Sequence, residues 1–321
     1  MPTFCRHNRL VQNCPICSKE QSVELRAVLS SSAPRTGAPH KPAAKRSGRS
    51  SGVRVSRLAR GAEDGYHSRL VQGLRSSADA ERLAEELAFA AARLDRLRED
   101  PPGPYAEVAA DGDVEERTWL AFLIAYLGPL EAEDPFAGVR AARTSWASGE
   151  LPALGGAQPG PRSSYDAAHG ARTFAAYRSW AARSGSQAAA FTGEAAWTPE
   201  RRFDRVYERL GLPGLTRGSR YDLLVTLGRL GVYELQGGTL QLGGENETTI
   251  AAKRALGIGD PLLLERRAAE LAEACGLPLE ALDLGLRNWG TGRRATSGLG
   301  PGAEPDPSVL ESALAALGLG D

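Results

Sequence analysis

Residues 201–290 read RRFDRVYERLGLPGLTRGSRYDLLVTLGRLGVYELQGGTLQLGGENETTIAAKRALGIGDPLLLERRAAELAEACGLPLEALDLGLRNWG. Apolar residues recur there at three- and four-residue spacing, broken by short turns, which is the signature of helices that bury one face. Just upstream, Thr198-Pro199-Glu200 supplies a cap, a first-turn proline and an acid, a helix start. Phe203, Val206, Tyr207 and Leu210 follow on one face, and the helix stops at Gly211-Leu212-Pro213-Gly214. A second helix runs over about 218–230, with Tyr221, Leu224, Val225 and Leu227 inward. Residues 232–242 alternate apolar and polar around Gly237-Gly238 and are expected to form a β-hairpin. Helices are expected again at 246–256, from Asp260-Pro261 onward with Leu262 to Leu264, Ala268, Leu271 and Cys275 buried, and at 278–289. In the last, Leu279, Leu282 and Leu286 are read as inward, Asp283 and Arg287 as outward.

Working outward, the same period recurs. Leu83, Leu87, Ala90, Ala91, Leu94 and Leu97 form a stripe within 76–99, closed by Asp100-Pro101-Pro102. Residues 112–130 form a more apolar helix capped by Asp113, with Glu115 and Glu116 in its first turn, where the helix dipole favours negative charge. Further helices are expected at 134–148, 163–183 and 307–317. Leu and Ala dominate the composition while Ile, Phe and Tyr are few, which favours helix over sheet. The fold class is mainly α, with one small β-hairpin. No apolar run reaches the roughly 18 residues of a membrane span, and no secretory signal is evident. A cytoplasmic protein with no membrane partner is expected.

The net charge of zero conceals an asymmetry. Residues 1–75 hold 14 Lys plus Arg against 4 Asp plus Glu, a net +10, so the remainder carries −10. The segment 4–17, FCRHNRLVQNCPIC, places Cys5-x-His7 six residues before Cys14-x-x-Cys17. Thiolate and imidazole in two close pairs suit a tetrahedral, structural Zn²⁺ site. So short a segment would take its folding energy from the metal. Residues 30–62 contain almost no large apolar side chains and read as a disordered linker. Within it Lys45, Arg46, Arg49, Arg54, Arg57 and Arg60 would hold a polyanion by charge without reading its sequence. The expected organisation is a zinc knuckle at 1–22, a basic linker at 23–75, a helical domain at 76–290, and a loop with an amphipathic helix at 291–321. Cys275 stands alone in an apolar helix and belongs to no disulfide framework.

Candidate site residues each have a bland counterpart. Glu115 and Glu116 read as a helix-start feature before a catalytic dyad. Asp166 and His169 share a helix face and read first as a surface pair. Arg172, Tyr177, Trp180 and Arg183 would suit a phosphate groove or an aromatic core stripe with a solvated basic edge. The sequence Leu212-Pro213-Gly214-Leu215-Thr216-Arg217-Gly218 resembles the helix-hairpin-helix of DNA glycosylases, with its second glycine displaced. That motif offers backbone N–H groups to a DNA phosphate, which would make Gly214, Arg217, Gly218 and Arg220 DNA-binding. The competing reading is an ordinary helix–helix turn.

Segments 115–130 (EERTWLAFLIAYLGPL), 176–187 (AYRSWAARSGSQ), 209–228, 251–268 (AAKRALGIGDPLLLERRA) and 277–289 (LPLEALDLGLRNW), with the CRHNR…CPIC head, resemble the third clade of the alpha-glutamyl/putrescinyl thymine pyrophosphorylases. The resemblance implies a helical, DNA-glycosylase-like fold. It also implies displacement of pyrophosphate from an activated 5-(pyrophosphoryloxymethyl)uracil in DNA by a small amine or amino acid. Such chemistry needs cations for the leaving group, a pocket for an extruded base and a carboxylate for the amine. On that basis Asp260, Lys253 and Arg254 are the catalytic candidates, and Arg266, Arg267, Tyr221 and Trp289 the substrate-binding ones. For Asp260, a plain helix cap is the rival role. The lysine nucleophile of glycosylases has no clear counterpart. Two alternatives stand beside the transferase: a non-catalytic DNA-binding regulator with a winged-helix-like segment, and a DNA glycosylase.

Overall fold

A computed structural model describes residues 61–155, 158–300 and 304–320. The zinc-knuckle residues Cys5, His7, Cys14 and Cys17, and the linker up to residue 60, lie outside the described residues. Those described form twelve helices and no strand. In chain order they are α1 (Ser77–Glu99), α2 (Pro104–Ala109), α3 (Val114–Leu127), α4 (Ala137–Ala142), α5 (Gly170–Arg183), α6 (Gln187–Thr192), α7 (Pro199–Arg209), α8 (Arg217–Arg229), α9 (Glu247–Leu256), α10 (Pro261–Ala274), α11 (Leu279–Thr291) and α12 (Pro307–Leu317). Among them no helix is long and apolar enough to cross a membrane.

Local chemistry accounts for most boundaries. The side chains of Asp113, Thr198, Thr216, Asn246, Asp260 and Asp306 accept first-turn N–H bonds, satisfying donors that a helix start leaves open. Proline occupies the first turn of α7, α10 and α12, where its missing N–H costs nothing. Left-handed Gly257, Gly292 and Gly318 close α9, α11 and α12.

Two helices organise the core. Every residue of α3 from Thr118 to Leu127 is buried. Its aromatic face forms a stack in which the rings of Phe122 and Tyr177 lie 3.8 Å apart and those of Trp119 and Phe122 5.4 Å. Helix α11 is the second, packing most closely on α1 and then on α9. At the α1 crossing a Cβ on Gly285 would lie 2.8 Å from Leu87 Cδ2 and 3.1 Å from the Glu86 carbonyl. Only glycine lets the two backbones approach that closely. Helix α12 also packs on α1.

The structure departs from the sequence reading in four places. Residues 232–242 do not pair as a hairpin. Side-chain carboxylates take their backbone donors instead: both Glu265 oxygens accept from Leu240 and Leu242 N–H, and Glu280 accepts from Gly237 N–H at 2.9 Å. Residues 61–75, read as linker, belong to the folded body, since Val71 and Leu74 are buried and Gly73 N–H donates to the Ala255 carbonyl at 3.0 Å. Leu70, Val71 and Leu74, the only large aliphatic residues among these fifteen, are too few to show a period. The helices expected at 134–148 and 163–183 shrink to α4 and α5. Finally, four inward or outward assignments reverse: Asp283 and Arg287, read as outward, are buried at 1 % and 4 % exposure, while Leu262 and Leu263, read as buried, are 83 % and 43 % exposed in the first turn of α10.

Candidate functional site

The residues singled out in the sequence do not assemble into one centre. Asp260 is exposed, and its carboxylate accepts from Leu263 N–H at 2.9 Å as the cap of α10. Arg266 and Arg267 pair with Glu270 on the same helix, at 3.7 and 2.6 Å. Arg254 stacks on Trp289, 4.6 Å from the ring centroid, and faces Asp79 at 3.6 Å. Lys253 is half-buried one position before it. Trp289 is 1 % exposed and donates to the Asp79 carbonyl at 2.9 Å. Tyr221 is equally buried, its hydroxyl 3.3 Å from the Thr239 carbonyl. Both aromatics are core residues, and of the two only Tyr221 borders the small cavity described below.

The 212–218 turn is likewise closed against the body. Gly214 has φ +76°, and a Cβ there would sit 2.2 Å from Thr173 Oγ1. Thr216 N–H donates to Ser164 Oγ at 2.9 Å. Arg217 is buried, and Arg220 lies over the Tyr207 ring at 4.3 Å. Gly218 stands in the first turn of α8. The other candidate groups also have structural partners. Glu115 accepts from Gln187 and Ala188 N–H at 3.0 and 2.8 Å, at the start of α6, and Glu116 from Trp146 and Ala147 N–H. Asp166 and His169 form an exposed pair at 3.3 Å. Tyr177 and Trp180 are core, whereas Arg172 and Arg183 are exposed.

Charge gathers elsewhere. Arg162, in the loop before α5, grips Asp222 of α8 side-on: Nε donates to Oδ2 at 2.6 Å and Nη2 to Oδ1 at 2.5 Å. Its Nη2 also reaches Asp283 Oδ2 of α11 at 2.9 Å. The other Asp283 oxygen accepts from Arg217, which also donates to the Leu240 carbonyl and lies over Tyr221 at 4.5 Å. One turn along α11, Arg287 bonds Glu247 at 3.0 Å and the Pro161 carbonyl at 2.8 Å. Burial opposes ionisation of Asp283, but Arg217 and Arg162 outweigh it and hold its carboxyl below the usual carboxylate range. The same carboxylates raise Arg162 and Arg217 against burial.

Arg162, Asp222 and Asp283 form one wall of a cavity of about 60 Å³. Arg93 and Tyr105 stand in the remaining lining with the 295–299 loop. The partly exposed Asp222 and the exposed Glu131 mark its solvent side. A space of this size holds a few waters or a small ion, far less than the roughly 300–1,000 Å³ of drug-sized ligand pockets. It does not hold an extruded base. No group of three or more potential metal ligands occurs among the described residues.

Sequence reasoning missed Arg162, Asp222 and Arg93, and misplaced Asp283. The one available signal was an acid and an arginine within the apolar pattern of α11, which amphipathic spacing assigns to the solvent face. Comparison with protein-family models, with characterised proteins and with solved structures finds no match to this chain.

Proposed function

We propose that this chain is a DNA-associated protein in which the two tasks are divided: the basic N-terminal segment supplies affinity for the polyanion, and the helical body serves a small ligand. The observation that carries this reading is the commitment of the body's arginines to internal partners. Arg217, Arg220, Arg254, Arg266 and Arg267, the cations expected to meet DNA or its leaving group, are each engaged within the body. Residues 61–321 carry net −10, whereas residues 1–60 carry +10. A negatively charged body with these five arginines occupied repels phosphate on average; a cluster of basic residues attracts it through counter-ion release.

The test is anisotropy of a fluorescent duplex against salt. Wild type is compared with a full-length variant in which Lys45, Arg46, Arg49, Arg54, Arg57 and Arg60 become Ser. Each phosphate contact adds about 0.9 to the slope of log K against log salt. The variant is expected to lose up to about five units of slope along with most of its affinity. Unchanged binding would move the DNA site onto the body and end this reading.

A second reading keeps the chemistry that the family resemblance implies, displacement of pyrophosphate from an activated uracil by an amine. The arginine-lined cavity supports it, since cations there would suit a departing anion. Under this reading Asp222, half-buried at the cavity wall, is a better-placed carboxylate for the amine than Asp260. Nucleoside mass spectrometry of an activated duplex incubated with glutamate or putrescine decides it. Turnover that survives Asp260→Asn and fails in Asp222→Asn supports the transferase; no amine adduct with wild type removes it.

A further inference from the structure

We propose that the cavity is a small-oxyanion site whose anchor is Arg93, a site that stands whether or not the chain meets DNA. Arg93 on α1 is 0 % exposed and lines the cavity. Its Nη1 donates to the Leu299 carbonyl at 2.7 Å, and its guanidinium lies over Phe89, 4.4 Å from the centroid. Nε and Nη2 have no hydrogen-bond partner. No carboxylate pairs with it among the described residues. The nearest acid in its field, Glu131, already spends both oxygens on Thr296, accepting from N–H at 2.7 Å and Oγ1 at 2.8 Å.

The other buried arginines show how unusual this is. Arg162 has Asp222 and Asp283, Arg202 has Glu234, Arg217 has Asp283 and Arg287 has Glu247. Arg93 alone of these lacks a carboxylate, and it alone leaves two guanidinium nitrogens unsatisfied. A buried charge without a partner is strongly unfavourable. Burial lowers Arg93 to about 10, with Arg96 and Arg294 adding to the effect, so it stays cationic at neutral pH and the lost counter-charge is real.

The open edge identifies the chemistry. Nε–H and Nη2–H point the same way along one side of a guanidinium and match two oxygens of one carboxylate or phosphate. Arg162 uses that same pair of nitrogens to hold Asp222. No space the size of a water adjoins either nitrogen in this conformation, so a free oxyanion stands toward Arg93 as Asp222 stands toward Arg162 only once the adjoining cavity wall yields. The cavity volume admits a small anion and little more. The covering loop is shaped for the contact. Ser297 sits at φ 52° and Gly298 and Gly300 at 77°, an arrangement costly for serine that brings the Leu299 carbonyl onto Nη1.

The experiment titrates the full-length protein with sodium phosphate, sodium acetate and sodium chloride at matched ionic strength and follows the melting temperature. Saturable stabilisation by phosphate or acetate beyond chloride is expected, on the order of 5 °C near a hundred times Kd. The more effective anion tells a phosphate site from a carboxylate site. In Arg93→Met, which keeps the apolar stem and removes the charge, the anion-specific rise should vanish. In Arg294→Met, on the same Phe89 ring at 4.5 Å, it should persist. Should Arg93→Met fail to fold, the Arg93 Nε–H resonance of wild type serves instead, shifting with phosphate or acetate and not with chloride. Identical responses to all three salts, or an unchanged rise in folded Arg93→Met, overturn the site and leave Arg93 hydrated by water only.

Discussion

Two groups of charged side chains in this protein are built from the same residue types and live in opposite surroundings. On α9 and α10, Lys253, Arg254, Asp260, Arg266 and Arg267 lie close in sequence. At the cavity wall, Arg162, Asp222 and Asp283, with Arg217 behind them on Asp283, come from three separate parts of the chain. The first group looks like a site when read along the sequence. Most of it is helix-surface pairing: Asp260 caps, and Arg266 and Arg267 share Glu270. The second group is invisible along the sequence, yet it ties α8, α11 and the 162 loop together through ionic bonds shielded from water. Proximity in sequence therefore misleads about chemistry here, because a helix surface places i, i+3 and i+4 charges together whatever their purpose.

The difference is measurable as a graded series in urea unfolding. Asp283→Ala should cost most, about 3–5 kcal/mol, because it leaves buried Arg217 without a counter-charge and Arg162 with Asp222 alone. A loss below about 1 kcal/mol would mean the wall is hydrated and no different from the α10 surface. Asp222→Ala should cost less, about 1–3 kcal/mol, since Arg162 keeps Asp283. Asp260→Ala should lose about 1 kcal/mol as a cap, while Asp260→Asn, which can still cap, should change stability by only a few tenths. Arg266→Ala should fall within about 0.5 kcal/mol. A ranking that put Arg266 or Asp260 above Asp283 would reverse the assignment of the two groups.

The same contrast has a pH signature. The folded Asp283 carboxyl lies below its ordinary value because of Arg217 and Arg162. Its contribution is therefore complete above the unfolded pKa near 4 and is lost as pH falls through the lower folded value. Wild type should lose stability on acidification below about pH 4, and folded Asp283→Asn should show a shallower acid limb.

Some elements were readable before any coordinates. The stripe of Leu83, Leu87, Leu94 and Leu97, the apolar run of α3, and the starts at Thr198-Pro199 and Asp260-Pro261 all fall where expected. Cys275 is buried as its helix requires, and burial pushes its thiol up to about 11. The 232–242 segment was not readable, although its alternation is real. Strand formation needs a partner ladder, whereas here Glu265 and Glu280, brought from α10 and α11, take the backbone donors first. The candidate site failed for a related reason. Arg93 and Arg162 are set apart only by what does or does not stand opposite them.

What the sequence determined by itself is the set of local decisions: which stretches are helices, where caps and glycines end them, which stripe faces inward, and how charge divides between residues 1–60 and the rest. Each depends on residues within about one or two turns, where hydrogen bonds and apolar spacing act over a few ångströms of contiguous chain. The tertiary structure alone decided which charges meet. Asp283 finds Arg162 across 121 positions and Arg217 across 66, and Arg93 forms no ion pair among the described residues. Those outcomes are set by how α1, α8 and α11 pack, because a buried charge is governed by the few groups within ionic reach and the low-dielectric surroundings that make their presence or absence count.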